Sequence, residues 1–156
     1  MRAPVAVRFE KLQKLIDRLS DESQKGVTII VEGNRDRDAL RKMNITGRIL
    51  CLQSSRKNAV EFVEGLEGVE DVIVLTDFDR EGVFLAKRLA RLLNAQSMRS
   101  DLILWRDLRR LARSDIRSIE ELPKYYQRLQ VENLSNLPAQ YWHLREPSRR
   151  HAVELS

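Results

Sequence analysis

The sequence predicts an α/β fold, with a four-stranded parallel sheet of order 2-1-3-4, helices on both faces and further helices toward the C-terminus. Three observations predict it. Short, largely apolar runs at residues 27–31, 48–52 and 72–75, the first of them β-branched throughout, are each followed by a stretch with helical apolar spacing, and a fourth apolar run stands at 102–105. Strand and helix alternating in this way imply a parallel sheet with right-handed crossovers. The first and third runs both end in acid and glycine, Glu32-Gly33 and Asp77-Phe78-Asp79-Arg80-Glu81-Gly82. These acids meet only if the first and third strands are neighbours with the second on the far side, which gives the order and a topological switch point where open α/β sheets bind ligands.

Taken in order, residues 7–19 carry Phe9, Leu12, Leu15, Ile16 and Leu19 at the spacing of an amphipathic opening helix, broken by residues 21–26. The run 27–31 reads as a buried parallel strand. Asn34 is the expected N-cap of the next helix, with Asp36 and Asp38 suited to its first turn and Ala39, Leu40 and Met43 facing inward. Residues 44–47 form a turn, 48–52 a second strand, and 58–66 a short helix with Val60, Phe62 and Val63 for the core. The third strand is 72–75. A long helix over 80–96 follows, with Val83, Phe84, Ala86, Leu89, Ala90, Leu92 and Leu93 on its buried side. The run 102–105 is the expected fourth strand. Two more helices are expected at 106–113 and 116–134, the latter kinked or interrupted near Pro123. One domain spans 1–134, with its core at 27–105. A C-terminal tail, 135–156, holds Tyr141-Trp142-His143 and the basic pair Arg149-Arg150, and is flexible or docks on a protein partner.

Composition narrows the function classes. At 156 residues the chain suits one module with a real core. Cys51 is the only cysteine, which closes disulfide frameworks and cysteine zinc sites. No apolar run is long enough to cross a bilayer, and Arg2 and Arg8 interrupt the N-terminus before a signal-peptide core could form, so the expected location is cytoplasmic. The 28 Lys and Arg against 23 Asp and Glu give a net charge of +5 and a pI near 9.7, a bias that suits a polyanionic partner.

Asp and Glu oxygens are hard ligands suited to magnesium, which keeps several waters and bridges a few carboxylates to substrate phosphates. Asp77 and Asp79 stand two apart at a strand end, and Glu81 lies in the first turn of the helix that follows. Singly, each has a plainer reading: Asp79 as a helix cap, Glu81 and Asp36 as acids favoured by a helix dipole, Glu32 as a strand-end charge. The convergence of two strand ends favours the cation.

In these motifs the chain resembles the Toprim family, the Rossmann-like catalytic domain of topoisomerases, bacterial-type primases, OLD-family nucleases and a ribosomal RNA maturase. The resemblance covers about 27–105. Glu32-Gly33, with Asp36 shortly after, matches the family's first motif; Asp77-Phe78-Asp79 matches its Asp-x-Asp, extended by Arg80-Glu81-Gly82 as in type IA topoisomerases. The resemblance implies that Asp77, Asp79 and Glu81 bind magnesium, with manganese as a substitute, and that Glu32 is a general acid/base or shares the metal. Asp36 is an additional candidate acid. Accessory domains for strand passage or priming are missing, and nothing places Tyr125, Tyr126 or Tyr141 as nucleophiles. The chain thus looks most like small stand-alone Toprim proteins of archaea and bacteria.

Arg106, Arg109, Arg110, Arg113 and Arg117 recur at helical spacing, and Arg56, Lys57 and Arg80 flank the strand ends. They read either as a solvated face or as phosphate contacts. His143 and His151 receive no metal role. The resulting expectation is a magnesium-dependent nuclease acting on nucleic acid, structured RNA ahead of DNA. Its competitor is a Toprim module that binds nucleic acid or nucleotide without turnover, as a subunit of a processing complex.

Overall fold

The computed structural model of the chain describes residues 2–145. Arg149, Arg150 and His151 lie outside the described residues. Helix α1 (Val5–Gln24) leads into β1 (Thr28–Val31), α2 (Asn34–Lys42), β2 (Ile49–Cys51), α3 (Ala59–Glu64), β3 (Asp71–Leu75), α4 (Arg80–Ala95), β4 (Arg99–Asp101), α5 (Ile103–Ala112) and α6 (Leu122–Ser135). Single turns of 3-10 helix stand at Gln53–Ser55 and Ile119–Glu121, and a longer one at Ala139–Arg145.

The sheet is parallel, of order β2-β1-β3-β4. Ile29 pairs with Ile49 on one side and Ile73 on the other, and Val31 with Cys51 and Leu75. Every residue of β1 is buried, which is why the run has no polar alternation. Right-handed crossovers place α2 on one face and α3 and α4 on the other. The helices group accordingly: α3 contacts α4, while α1 contacts α5 and α6, and α2 contacts α6. No helix among the described residues is long and apolar enough to cross a membrane.

Five expectations are corrected. The fourth strand is 99–101, not 102–105; Asp71 pairs with Arg99 and Ile73 with Asp101. Asp101 Oδ1 accepts the Ile103 N–H at 2.7 Å, and the apolar run beyond it is the first turn of α5, whose Leu104, Trp105, Leu108 and Ala112 form one buried stripe. Phe84 is 65% exposed, because the inward line of α4 is Gly82, Ala86, Leu89 and Leu93 and Phe84 stands about 200° round the axis from Gly82. The helix expected over 116–134 is interrupted near Pro123, since α6 begins at Leu122 after the Ile119–Glu121 turn, but Pro123 kinks no helix. It lies in the first turn of α6, where its missing N–H has no helical acceptor to lose. The N-cap of α2 is Gly33, with Asn34 the first helical residue. Finally, α1 runs past residue 19 to Gln24, and Gly26 makes the turn at φ +94°, a left-handed conformation suited to glycine.

Tyr125 and Tyr126 are core residues, 1% and 0% exposed, the latter ring packing on Phe9 at 5.3 Å between centroids.

Candidate active site

Both acidic motifs leave the carboxyl edge of the sheet side by side. The register Val31 to Leu75 carries Glu32 past the end of β1 next to Thr76 and Asp77 past the end of β3. There the backbone N–H of Asp77 donates to Glu32 Oε2 at 2.6 Å, so the first acid is held against the main chain of the second. Asp77 Oδ1 accepts the Ile119 N–H at 3.3 Å. Asp36, buried in α2, accepts the Gly33 N–H at 3.1 Å through Oδ2 and the Glu120 N–H at 3.0 Å through Oδ1.

Asp79 is the N-cap of α4, its Oδ1 accepting the Gly82 N–H at 2.7 Å, and Glu81 lies exposed in the first turn. The plainer roles weighed for these two residues are therefore present in the structure. Gly82 is required by close approach: a Cβ there would stand 2.0 Å from the Asp77 carbonyl oxygen. The turn between β3 and α4 is braced by further bonds. Thr76 Oγ1 donates to the Gly82 carbonyl at 2.7 Å, Trp105 Nε1 to the Thr76 carbonyl at 2.9 Å, and Arg109 Nε to the Phe78 carbonyl at 3.0 Å.

The electrostatics follow from this crowding. Burial, then the neighbouring Glu32 charge and its hydrogen bond, push the Asp77 carboxyl up to about 7. Burial and the Asp77 charge raise Asp36 to about 6, against the two backbone N–H groups that hold it down. Among the described residues no Lys or Arg forms an ion pair with Glu32, Asp36, Asp77, Asp79 or Glu81. No group of three or more His, Cys, Asp or Glu among them is close enough to hold a metal ion. The tight unit is a pair, Glu32 with Asp77.

The segment 117–121 was not expected at the site. Its Ile119 and Glu120 amides hold Asp77 and Asp36, and the Arg117 carbonyl accepts the Phe78 N–H at 2.7 Å. Glu121 Oε2 accepts from the Arg117 and Ser118 amides and the Ser118 hydroxyl, closing the turn as a capping box. The Ser118-x-x-Glu121 spacing marks that turn in the sequence; nothing marks the acids it meets.

Of the basic candidates, Arg106, Arg109, Arg110 and Arg113 do come together, lining a cleft of about 180 Å³ beside Trp105. Arg117 lies beyond the end of α5 and outside that cleft. Arg56 follows the Gln53–Ser55 turn in left-handed backbone, φ 58°. This turn is tied to the acid edge by the Gln53 N–H donating to the Glu32 carbonyl at 2.9 Å. Lys57 points elsewhere: its Nζ lies beside Gly65 at the C-terminus of α3, where helix carbonyls favour a cation. Arg80 is exposed at the start of α4.

Comparison with known proteins fits this geometry. Residues 27–103 match the Toprim domain. A UPF0292 protein of Thermococcus sibiricus is 39% identical over 123 residues, covering 79% of this chain and 94% of the relative. The chain belongs to the UPF0292 family. A UPF0292 protein of Pyrococcus furiosus is 40% identical, covering 79% and 89%, and one of Methanosarcina acetivorans 35%, covering 78% and 84%. The solved structure of a putative protein from Aquifex aeolicus superposes with a TM-score of 0.59 at 32% identity, covering 70% of this UPF0292 chain and 95% of its own. The Toprim match stops at the start of α5. The segment that braces Asp77 and Asp36 thus lies outside the Toprim match.

Proposed function

We propose that this chain carries out magnesium-dependent phosphodiester chemistry on nucleic acid as a nuclease, with structured RNA preferred over DNA. The observation that carries the reading is the Glu32–Asp77 pair, two half-buried carboxylates forced together at a topological switch point with, among the described residues, no basic side chain paired to either. Such a pair fits a hard divalent cation. Magnesium is characteristically held by one or two carboxylates, its remaining positions filled by water and substrate phosphate, so a protein cluster of three is not required. Asp77 and Asp79 would hold the ion, Asp79 through the oxygen not used in capping α4, with Glu81 reaching it through water. The bound ion would supply Lewis-acid polarisation of the scissile phosphate.

The remaining roles belong to the chain. Glu32, fixed by the Asp77 N–H through Oε2, presents a carboxylate that accepts a proton from an attacking water. Asp36 orients the start of α2 through Gly33. Arg56 and Arg80 neutralise phosphate charge at the sheet edge, and Arg106, Arg109, Arg110 and Arg113 hold the substrate backbone.

A second reading, binding without turnover as a subunit of a larger complex, is favoured by one observation: Tyr141 and Trp142 are 44% and 53% exposed beyond α6, where a protein partner would find them. Labelled single-stranded, duplex and hairpin RNA and DNA, incubated with magnesium, manganese or chelator, separate the two. The nuclease reading expects metal-dependent product, highest with hairpin RNA. Binding without product under every condition would sink it.

A further inference from the structure

We propose that the basic face of α5 continues onto α1, and that Lys11 and Lys14 carry the distal phosphates of a polynucleotide whose near end lies at Glu32 and Asp77. This rests on the site reading above and adds the size of the ligand: an extended phosphodiester backbone, not a mononucleotide.

Clustering of like charge is the first ground. Arg106, Arg109, Arg110 and Arg113 stand on one face of α5 and line a single cleft beside Trp105. Among the described residues, none of the four pairs with a carboxylate. Four neighbouring guanidiniums without an acid repel one another, and a polyanion relieves that repulsion.

Continuity is the second. Arg110 lines both the arginine cleft and a wider one, about 430 Å³, formed with Lys11, Lys14, Leu15, Asp107 and Leu111. At its other end the arginine cleft reaches the acidic turn through the Arg109 bond to the Phe78 carbonyl. One basic path therefore runs from the turn that carries Asp77 and Asp79, along α5, and across to α1. Arg106 to Arg113 alone covers roughly 10 Å of helix axis, about three phosphates at the 3.4 Å rise of one strand, and the α1 lysines lengthen it. Among the described residues Asp107 is the one acid lining the two clefts. Lys14 also meets Glu10 at 3.2 Å, but both side chains are mostly exposed, and such pairs are weak enough to yield to a phosphate.

The test is binding, measured in chelator so that it does not depend on turnover. Fluorescence anisotropy would follow labelled RNA and DNA oligonucleotides long enough to span both clefts, and a labelled dinucleotide, over a series of salt concentrations. The Lys11→Ala/Lys14→Ala variant should bind the long oligonucleotide several-fold more weakly, with the salt slope reduced by about 2, and the dinucleotide unchanged. Lys25→Ala, at the far end of α1, should change neither. Equal affinity and equal slope for the double variant and the native protein, or dinucleotide binding as tight as that of the long oligonucleotide, would overturn the proposal. Track-dependent binding without cleavage in magnesium would leave it standing and remove only the nuclease reading.

Discussion

Glu32 of the acidic sheet edge and Arg109 of α5 each bond the same turn, yet the acids and the α5 arginines are held in opposite ways. Glu32, Asp36, Asp77 and Asp79 are each fixed by backbone N–H groups, three of them from residues distant in sequence. Apart from the Arg109 bond to Phe78, the arginines are fixed by little and, among the described residues, paired with no acid. Charge that the fold pins down is suited to chemistry at a set position, where geometry decides the rate. Charge left on long, solvated side chains is suited to a ligand that supplies its own order. Substitutions among the acids should therefore alter stability and its pH dependence, whereas those among the arginines should alter salt-dependent binding and leave stability alone.

The largest expected effect is at the turn that joins the two regions. Gly82→Ala drives a methyl into the Asp77 carbonyl and should cost about 3 kcal/mol, read as a lower midpoint in urea. A midpoint within error of native would show that the turn gives way freely, and the acids would not be pinned as described.

Next comes pH. The folded Asp77 and Asp36 carboxyls titrate near 7 and 6, above the ordinary 3.8 of the unfolded chain. Between about pH 4 and 7 the folded protein holds protons that the unfolded chain has released, so stability in chelator should fall as pH rises through this window. Asp77→Asn keeps an oxygen for the Ile119 amide and removes the charge. It should flatten most of that slope and gain on the order of 1 kcal/mol at pH 8, solvent access reducing the full linkage value. Parallel profiles for native and variant would contradict the pairing with Glu32.

Glu121→Ala releases the capping box of the bracing segment and should cost about 1 kcal/mol, with faster hydrogen exchange at the Ile119 and Glu120 amides. Unchanged exchange would mean that the segment is held without its cap. The smallest stability change is expected for Arg106→Ala and Arg113→Ala, within about 0.5 kcal/mol of native, while each lowers the salt slope of oligonucleotide binding by about 1. A melting loss well beyond that would place these arginines in the fold and not at its service.

What was legible follows the same division. β1 and β3 could be read because strands buried on both faces are apolar throughout, and their order could be read because Glu32 and Asp77 make sense only as neighbours. β4 could not: an edge strand of Arg, Ser and Asp is held by backbone bonds to β3 that any side chain permits. The adjacent Leu-Ile-Leu-Trp run satisfies a strand pattern for four residues, and only Leu108 and Ala112 beyond it reveal the helix. The bracing of Asp77 and Asp36 was hidden for a related reason, since its donors are main-chain amides of Ile119 and Glu120, whose residue types say nothing about what they bond. Spacing also does not give the direction of a long side chain. Lys57 sits at the right loop, and its ammonium turns away to α3.

The claim on which the rest depends is that Asp77 and Asp79, with Glu32 held against them, form a divalent-cation site. Calorimetric titration of magnesium into native protein and Asp77→Asn at pH 8 tests it most directly. The account predicts saturable binding to the native protein, lost in a variant that keeps its fold and melts cooperatively at or above the native midpoint. Equal binding by both proteins, or no binding by either, would contradict it.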